Sequence, residues 1–369
     1  MNPKKRIALH FYGGKSEIYQ IKQWLSVLEV LHKSEALEII VRDKSVFSLL
    51  PTLTNLDVIF LPTADELISY YVEQDFHIIL YINNGAKNFH SLAYPRSIHI
   101  QLHHGESEKT STHSNQIKGY DYAFIAGEAA LDRYTEHLIN IQRVHFIQIG
   151  RPQFDHIVPP IKPKNKKIIL YAPTDESTHI SMRYTSIQEH GLKIVEAILA
   201  HPDYHLIYRP HPRTGHNDPK VKRAHNTIIH TVRNAPNGSI ETTLPALEVL
   251  SMADIGIFDN SSLLIDFLFF DKPILLTDMF LTKYHDPSSF RMSQACIMLN
   301  KNNIDKLTEL LQRELTEDTF QSIRRKVRYY YLGVYKKGES TSLFISKIQE
   351  IIEERRTLLL KEILNIPKK

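Results

Sequence analysis

The sequence predicts two successive doubly wound α/β domains, a short linker between them and a helical tail. Three observations carry this expectation. Apolar runs of about five residues alternate with helical patterns, which is the signature of parallel strands joined by crossover helices. The alternation breaks once, at Val158-Pro159-Pro160-Ile161-Lys162-Pro163-Lys164-Asn165-Lys166-Lys167, and then restarts. With 369 residues, the chain is long enough to build two cores of ordinary size. The expected boundaries are 1–157 for the first domain, 158–167 for the linker, 168–335 for the second domain and 336–369 for the tail.

In the first domain, strands are expected at Lys5–Phe11, Ala36–Val41, Asp57–Leu61, His77–Ile82, Ser97–Leu102, Tyr122–Ala126 and Val144–Ile149. Helical spacing covers Glu17–Leu31, Val46–Leu50, Asp65–Glu73 and Glu128–Ile139 between them. The second domain repeats the plan, with strands Ile168–Tyr171, His205–Tyr208, Thr227–His230, Asp254–Phe258 and Pro273–Leu276. Its helices are expected at Ile187–Leu199, Pro219–His225, Pro245–Ser251 and Leu263–Phe270. The tail reads as helix over Asn303–Leu311, Glu317–Tyr329 and Ser340–Leu364. Two such domains with a proline-rich hinge outline a GT-B-type transferase, whose expected active site is the cleft that the domains face.

Hydrophobic content of 42% and charged content of 23% suit a soluble globular protein, and no run approaches the ~18 apolar residues of a membrane span. The N-terminus has a basic start, but its apolar run is too short for a signal peptide and Tyr12-Gly13-Gly14-Lys15 breaks it. One cysteine, Cys296, gives no internal disulfide and fits a reducing compartment, so the expected location is cytoplasmic. A net charge of +4 is too mild for a dedicated nucleic-acid binder and compatible with anionic substrates or loose attraction to anionic lipid. A peripheral position on the cytoplasmic face of the inner membrane therefore stays open, as does a role for the tail's basic residues Arg355, Arg356, Lys361, Lys368 and Lys369 in reaching it, with packing of the tail helix back on the first domain as the favoured alternative.

Three constellations sit just past expected strands, where parallel sheets bind ligands. In Asp259-Asn260-Ser261-Ser262, a strand turns at once into a helix that opens with small hydroxyl residues. Unpaired N–H groups and the helix dipole make such a turn an anion site, with an ordinary serine cap as the structural alternative. In Arg209-Pro210-His211-Pro212-Arg213, two prolines fix the backbone around one histidine and two guanidinium groups stand by for phosphate oxygens. In His104-Gly105-Glu106-Ser107-Glu108-Lys109, a histidine suited to take a proton is followed by a glycine that leaves room for substrate and a lysine able to hold phosphate. Tyr171-Ala172-Pro173-Thr174-Asp175-Glu176 is a fourth strand end, equally readable as a turn or a ligand loop. Tyr12-Gly13-Gly14-Lys15-Ser16 lacks the leading glycine of a P-loop, and no zinc motif is present.

In their order and spacing these segments resemble the CDP-glycerol glycerophosphotransferases of teichoic-acid and capsule synthesis. The resemblance covers roughly His99 to Ile351 and also takes in Gly150-Arg151-Pro152-Gln153-Phe154-Asp155, Asp266, Asp271-Lys272-Pro273 and Gly338-Glu339-Ser340. Asn260 stands where the family usually has tyrosine, and Asp175 where tryptophan is common. The resemblance implies transfer of an alditol phosphate from CDP-glycerol or CDP-ribitol to a glycan or lipid-linked hydroxyl, with release of CMP. It implies His104 as the base and His211 as a second catalytic group. Arg209, Arg213, Thr174, Asn260, Ser261, Ser262, Gly105 and Lys109 would bind the donor, without a cofactor or protein-bound metal. A GT-B glycosyltransferase using a nucleotide sugar is the alternative.

Overall fold

A computed structural model describes residues 6–83, 85–108, 114–162, 165–177, 183–279 and 291–365. They form two compact units: 6–104, 114–156 and 332–365 in the first, and 105–108 and 157–331 in the second, with residues 84, 163–164, 178–182 and 280–290 outside the description. Each unit is built on one parallel sheet.

The first sheet has seven strands: β1 (Ile7–Phe11), β2 (Leu37–Val41), β3 (Asp57–Phe60), β4 (Ile78–Tyr81), β5 (Ile98–Gln101), β6 (Tyr122–Ile125) and β7 (His145–Gln148). Their order is β3-β2-β1-β4-β5-β6-β7 and every recorded pairing is parallel. β1, β2, β4 and β5 are buried at every position, so they read as unbroken apolar runs rather than alternating ones. Helix Ala64–Gln74 begins with a reciprocal cap: Glu66 N–H donates to the Thr63 hydroxyl at 3.2 Å, and Thr63 N–H to the Glu66 carboxylate at 3.0 Å.

The tail helix, Glu339–Asn365, belongs to this first unit. Phe344, Ile348, Ile351 and Ile352 are buried in the same core as β1, β2 and β4, with the Phe344 ring 5.6 Å from that of Trp24. Thr341 N–H donates to Asp155 at 2.8 Å and the Ser340 hydroxyl to Ile149 O, which fixes the helix start. Arg355, one of the basic residues of the tail, is buried and donates to Arg96 O and Asp75 Oδ1, both at 2.7 Å. Lys368 and Lys369 lie outside the described residues.

The second sheet has six strands: β8 (Lys167–Ala172), β9 (Tyr204–Tyr208), β10 (Gly238–Ile240), β11 (Ile255–Phe258), β12 (Ile274–Thr277) and β13 (Ile297–Leu299). Their order is β10-β9-β8-β11-β12-β13, again all parallel, so the strand order reverses between β8 and β11. One expected strand is corrected here. Thr227–His230 lies inside a single helix, Pro219–Arg233, and the strand comes later, at Gly238–Ile240. Asp218 caps that helix by accepting from Lys220 N–H at 2.8 Å, Pro219 takes its first position, and Val221, Ile228 and Val232 share its buried stripe. The β-branched residues of Thr227-Ile228-Ile229 favour a strand locally, but cap and stripe outweigh that preference.

Candidate active site

β9, β8 and β11 lie side by side, with Tyr171 opposite Tyr208 and Ala172 opposite Phe258. Their carboxyl ends therefore bring Arg209, Thr174 and Asn260 to one edge of the second sheet, at the point of strand reversal where open parallel sheets bind ligands.

The turn after β11 is organised by Asp259. Its fully buried carboxylate accepts from Thr174 N–H at 2.8 Å, Ser186 N–H at 3.1 Å and the Thr277 hydroxyl. Burial pushes its pKa up to about 6, against the hydrogen bonds from Ser186, Thr277 and Thr174 that favour the charged form. Ser261 takes the N-cap position of helix Ser262–Phe267, yet its side chain makes no capping hydrogen bond. Ser261 Oγ and Asn260 Oδ1 are both buried without a hydrogen-bond partner among the described residues. The ordinary serine cap is therefore not what this turn shows.

Gly105 groups with the second unit, and a Cβ on it would stand 3.0 Å from Ser262 Cβ. The glycine, expected to give an imidazole room, thus also allows close approach to the serine turn. Gly105→Ala is expected to displace Ser262 slightly and weaken pyrophosphate binding by about 3–10-fold, as misplacement of a binding group does. Titration calorimetry checks this, and an unchanged affinity would separate Gly105 from the ligand of the serine turn.

The loop after β9 is held from two sides. Arg209 N–H donates to Tyr171 O at 2.9 Å, while Arg209 Nη1 is buried without a hydrogen-bond partner among the described residues. Burial lowers the Arg209 pKa, with Glu241 pulling it back. Thr214 N–H donates to His211 O at 2.9 Å and closes a turn. Gly215 follows with φ +79°, and a Cβ there would meet Lys222 Cα at 2.9 Å, so glycine is required. His211 Nδ1 accepts from Arg213 N–H at 3.2 Å, which leaves the proton of the neutral ring on Nε2, as a donor.

Asp175 and Glu176 supply the second side, a role that the sequence alone did not reveal. Glu176 is fully buried and accepts from the N–H groups of Gly215, Asn217 and Asp218 at 2.9, 2.6 and 3.3 Å. Asp175 Oδ2 lies 2.9 Å from Arg213 Nη2, and its Oδ1 lies 4.0 Å from His211 Nδ1. Thr174, expected to bind the donor, directs its N–H to Asp259 and its hydroxyl towards Asp175 Oδ1 at 3.4 Å. A carboxylate directly after a buried strand was the signal available for this clamp.

The second unit thus gathers Gly105, Thr174, Arg209, His211, Arg213, Asn260, Ser261 and Ser262 around three adjacent strand ends. His104 stands in the first unit, just past β5. The chain reverses at His103, where φ is +58° and Trp24 Nε1–H donates to the carbonyl at 2.8 Å. His104 is half-buried, its ring edge-on to Tyr19 at 6.4 Å, and its Nδ1 lies 3.3 Å from Ile82 O. A carbonyl only accepts, so Nδ1 carries the proton and Nε2 keeps its lone pair. The two histidines therefore hold opposite tautomers. Lys109 lies outside the described residues. Among those described, no group of three or more His, Cys, Asp or Glu side chains is placed to hold a metal ion, and no helix is long and apolar enough to cross a membrane.

A family model described as CDP-Glycerol:Poly(glycerophosphate) glycerophosphotransferase matches residues 79–349. No curated protein matches the chain in sequence. Among solved structures, UDP-GlcNAc 2-epimerase from Neisseria meningitidis, bound to UDP-GlcNAc, is similar with a TM-score of 0.61 at 14% identity, covering 93% of this chain and 100% of the other. The wall teichoic acid polymerase TagF is similar with a TM-score of 0.60 at 16% identity, covering 96% and 90%. MnaA from S. aureus, in a co-structure with UDP, has a TM-score of 0.59 at 12% identity, covering 94% and 97%. At these identities the likeness is one of fold, the GT-B type.

Proposed function

The chain belongs to the CDP-glycerol:poly(glycerophosphate) glycerophosphotransferase family, and from that premise we propose that it moves glycerol phosphate from CDP-glycerol to a hydroxyl of a cell-surface glycan or its lipid-linked precursor. The family makes the chain an enzyme of glycerophosphate transfer. In the proposed reaction the acceptor oxygen bonds to the glycerol-bearing phosphorus, the diphosphate P–O bond breaks, and CMP leaves as a phosphate monoester. The acceptor's proton goes to His104 Nε2. The leaving phosphate needs charge stabilisation more than a proton, and the second unit offers that through Arg209, Arg213, His211 Nε2–H and the serine turn. This proposal calls for no protein-bound metal.

One observation supports the reading most: among the described residues Arg209 Nη1, Asn260 Oδ1 and Ser261 Oγ are buried without hydrogen-bond partners, and they follow β9 and β11, the strands on either side of β8. Buried polar groups are nearly always paired, so three of them at these strand ends support a place for a polar ligand. A polymer or lipid-linked acceptor would be met in the cytoplasm or peripherally on the cytoplasmic face of the inner membrane, in teichoic-acid-like or capsule synthesis.

The test is a donor screen on the purified protein, with mass analysis of the extended acceptor. CMP release from CDP-glycerol is expected, with CDP-ribitol as the competing alditol donor. Release of UDP from UDP-GlcNAc, or of another nucleotide from a sugar donor, with none from either CDP-alditol would overturn the proposal in favour of glycosyl transfer.

A further inference from the structure

We infer that Asp175 is a built-in counter-anion of the donor site: it holds Arg213 before the donor binds and weakens the grip on the diphosphate of donor and product alike. The inference rests on the donor reading above only in placing a diphosphate at this edge. Asp175 is 2% exposed, yet it belongs to the same strand end as Thr174 and sits against Arg213 and beside His211. Its Oδ2 is 2.9 Å from Arg213 Nη2, and its Oδ1 is 4.0 Å from His211 Nδ1. Arg213 is the solvent-side member of the pair, with a side chain 44% exposed, so it can turn from the carboxylate to an incoming phosphate.

Two effects of the carboxylate oppose each other. Keeping Arg213 ordered favours anion binding by sparing the entropy of one long side chain. A full negative charge beside the phosphates disfavours it through Coulomb repulsion, which is strong in a partly buried site. The charge outweighs the ordering of a single exposed side chain. Without Asp175, Arg213 and the His211 donor would lose the carboxylate beside them and retain nucleotide more strongly. Binding donor and product more tightly without favouring the transition state gives no gain in turnover, and slow product release limits it. Asp175 is a positioning residue in this account, acting through Arg213 and through charge.

Titration calorimetry with inorganic pyrophosphate and with CDP tests it on the full chain, comparing wild type, Asp175→Asn, Asp175→Glu and Arg213→Gln. Asp175→Asn is expected to bind pyrophosphate about 5–10-fold more tightly at low salt, an advantage that shrinks at about 0.5 M salt as screening removes the repulsion. Asp175→Glu should keep the wild-type affinity and Arg213→Gln should weaken it. A purely structural role would weaken binding in Asp175→Asn. Weaker or equal binding in that variant, with its unfolding midpoint unchanged, overturns the inference, and so does pyrophosphate binding to neither protein. If Asp175→Asn fails to fold, wild-type affinity in Arg213→Gln overturns it instead. Whether wild type prefers CDP to UDP and GDP tests the donor reading separately, because the pyrophosphate comparison does not depend on the nucleoside.

Discussion

Replacing His104 with alanine is expected to lower turnover by about 10²–10⁴-fold, the usual worth of a positioned general base, while donor affinity stays within about twofold. The expectation follows from the tautomer. Ile82 O, 3.3 Å from Nδ1, holds the proton there, so Nε2 is the ring nitrogen whose lone pair can take one from an alcohol. A hydroxyl is a poor nucleophile at neutral pH, so the base contributes to the chemical step and little to holding the diphosphate. The parallel variant His211→Ala should behave differently. Its Nε2–H is a donor rather than a base, since Nδ1 already accepts from Arg213 N–H, so donor affinity and turnover should both fall. Steady-state kinetics on CMP release, with CDP binding by calorimetry, separates the two. Wild-type turnover in His104→Ala removes that residue from the mechanism. Loss of CDP affinity equal to the loss of turnover would instead make it a donor-binding group.

The strands were largely legible because parallel strands buried on both faces must be apolar throughout, as in Ile78-Ile79-Leu80-Tyr81 and Ile255-Gly256-Ile257-Phe258. Strand β10 was not, because Gly238-Ser239-Ile240 has turn-like composition and only three residues at a sheet edge. Thr227-Ile228-Ile229 misled in the other direction, since its local preference for strand yields to the Asp218 cap and the helix's buried stripe. The motif residues around His104, His211 and Ser261 were visible as polar groups following buried strands. What composition and spacing conceal is the support beneath them. Asp175 and Glu176 stand in a stretch readable as a turn or a ligand loop and Asp259 in a strand-to-helix turn, and only the fold brings each to partners distant along the chain. Asp259 meets Thr174, Ser186 and Thr277 on three different segments, and no periodicity encodes such a meeting.

Asp259→Ala is expected to destabilise the protein by about 2 kcal/mol at pH 7 and by more than about 3 kcal/mol at pH 5. Two opposing contributions set this. Alanine leaves the Thr174 and Ser186 N–H groups and the Thr277 hydroxyl buried without their acceptor, which costs about 5 kcal/mol at typical values for unpaired buried donors. It also removes the cost of keeping a carboxylate ionised in the interior. Raised from 3.8 to about 6, that group carries a burden of about 3 kcal/mol at pH 7. The sign follows from the direction of the shift. Between pH 3.8 and about 6 the folded state holds a proton that the unfolded state has released, so the wild type loses stability as pH rises through this window. Alanine has no such dependence, so the gap between the two proteins widens as pH falls. Urea unfolding of both proteins at pH 5 and pH 7 measures it, with other titrating groups cancelling in the difference. A gap that is the same at pH 5 and pH 7 would mean that Asp259 is ionised well below pH 6 in the folded protein, with its three donors outweighing burial. The serine turn would then rest on a carboxylate that is charged at pH 5 as it is at pH 7, and Asp259 would give the turn no pH dependence in that range.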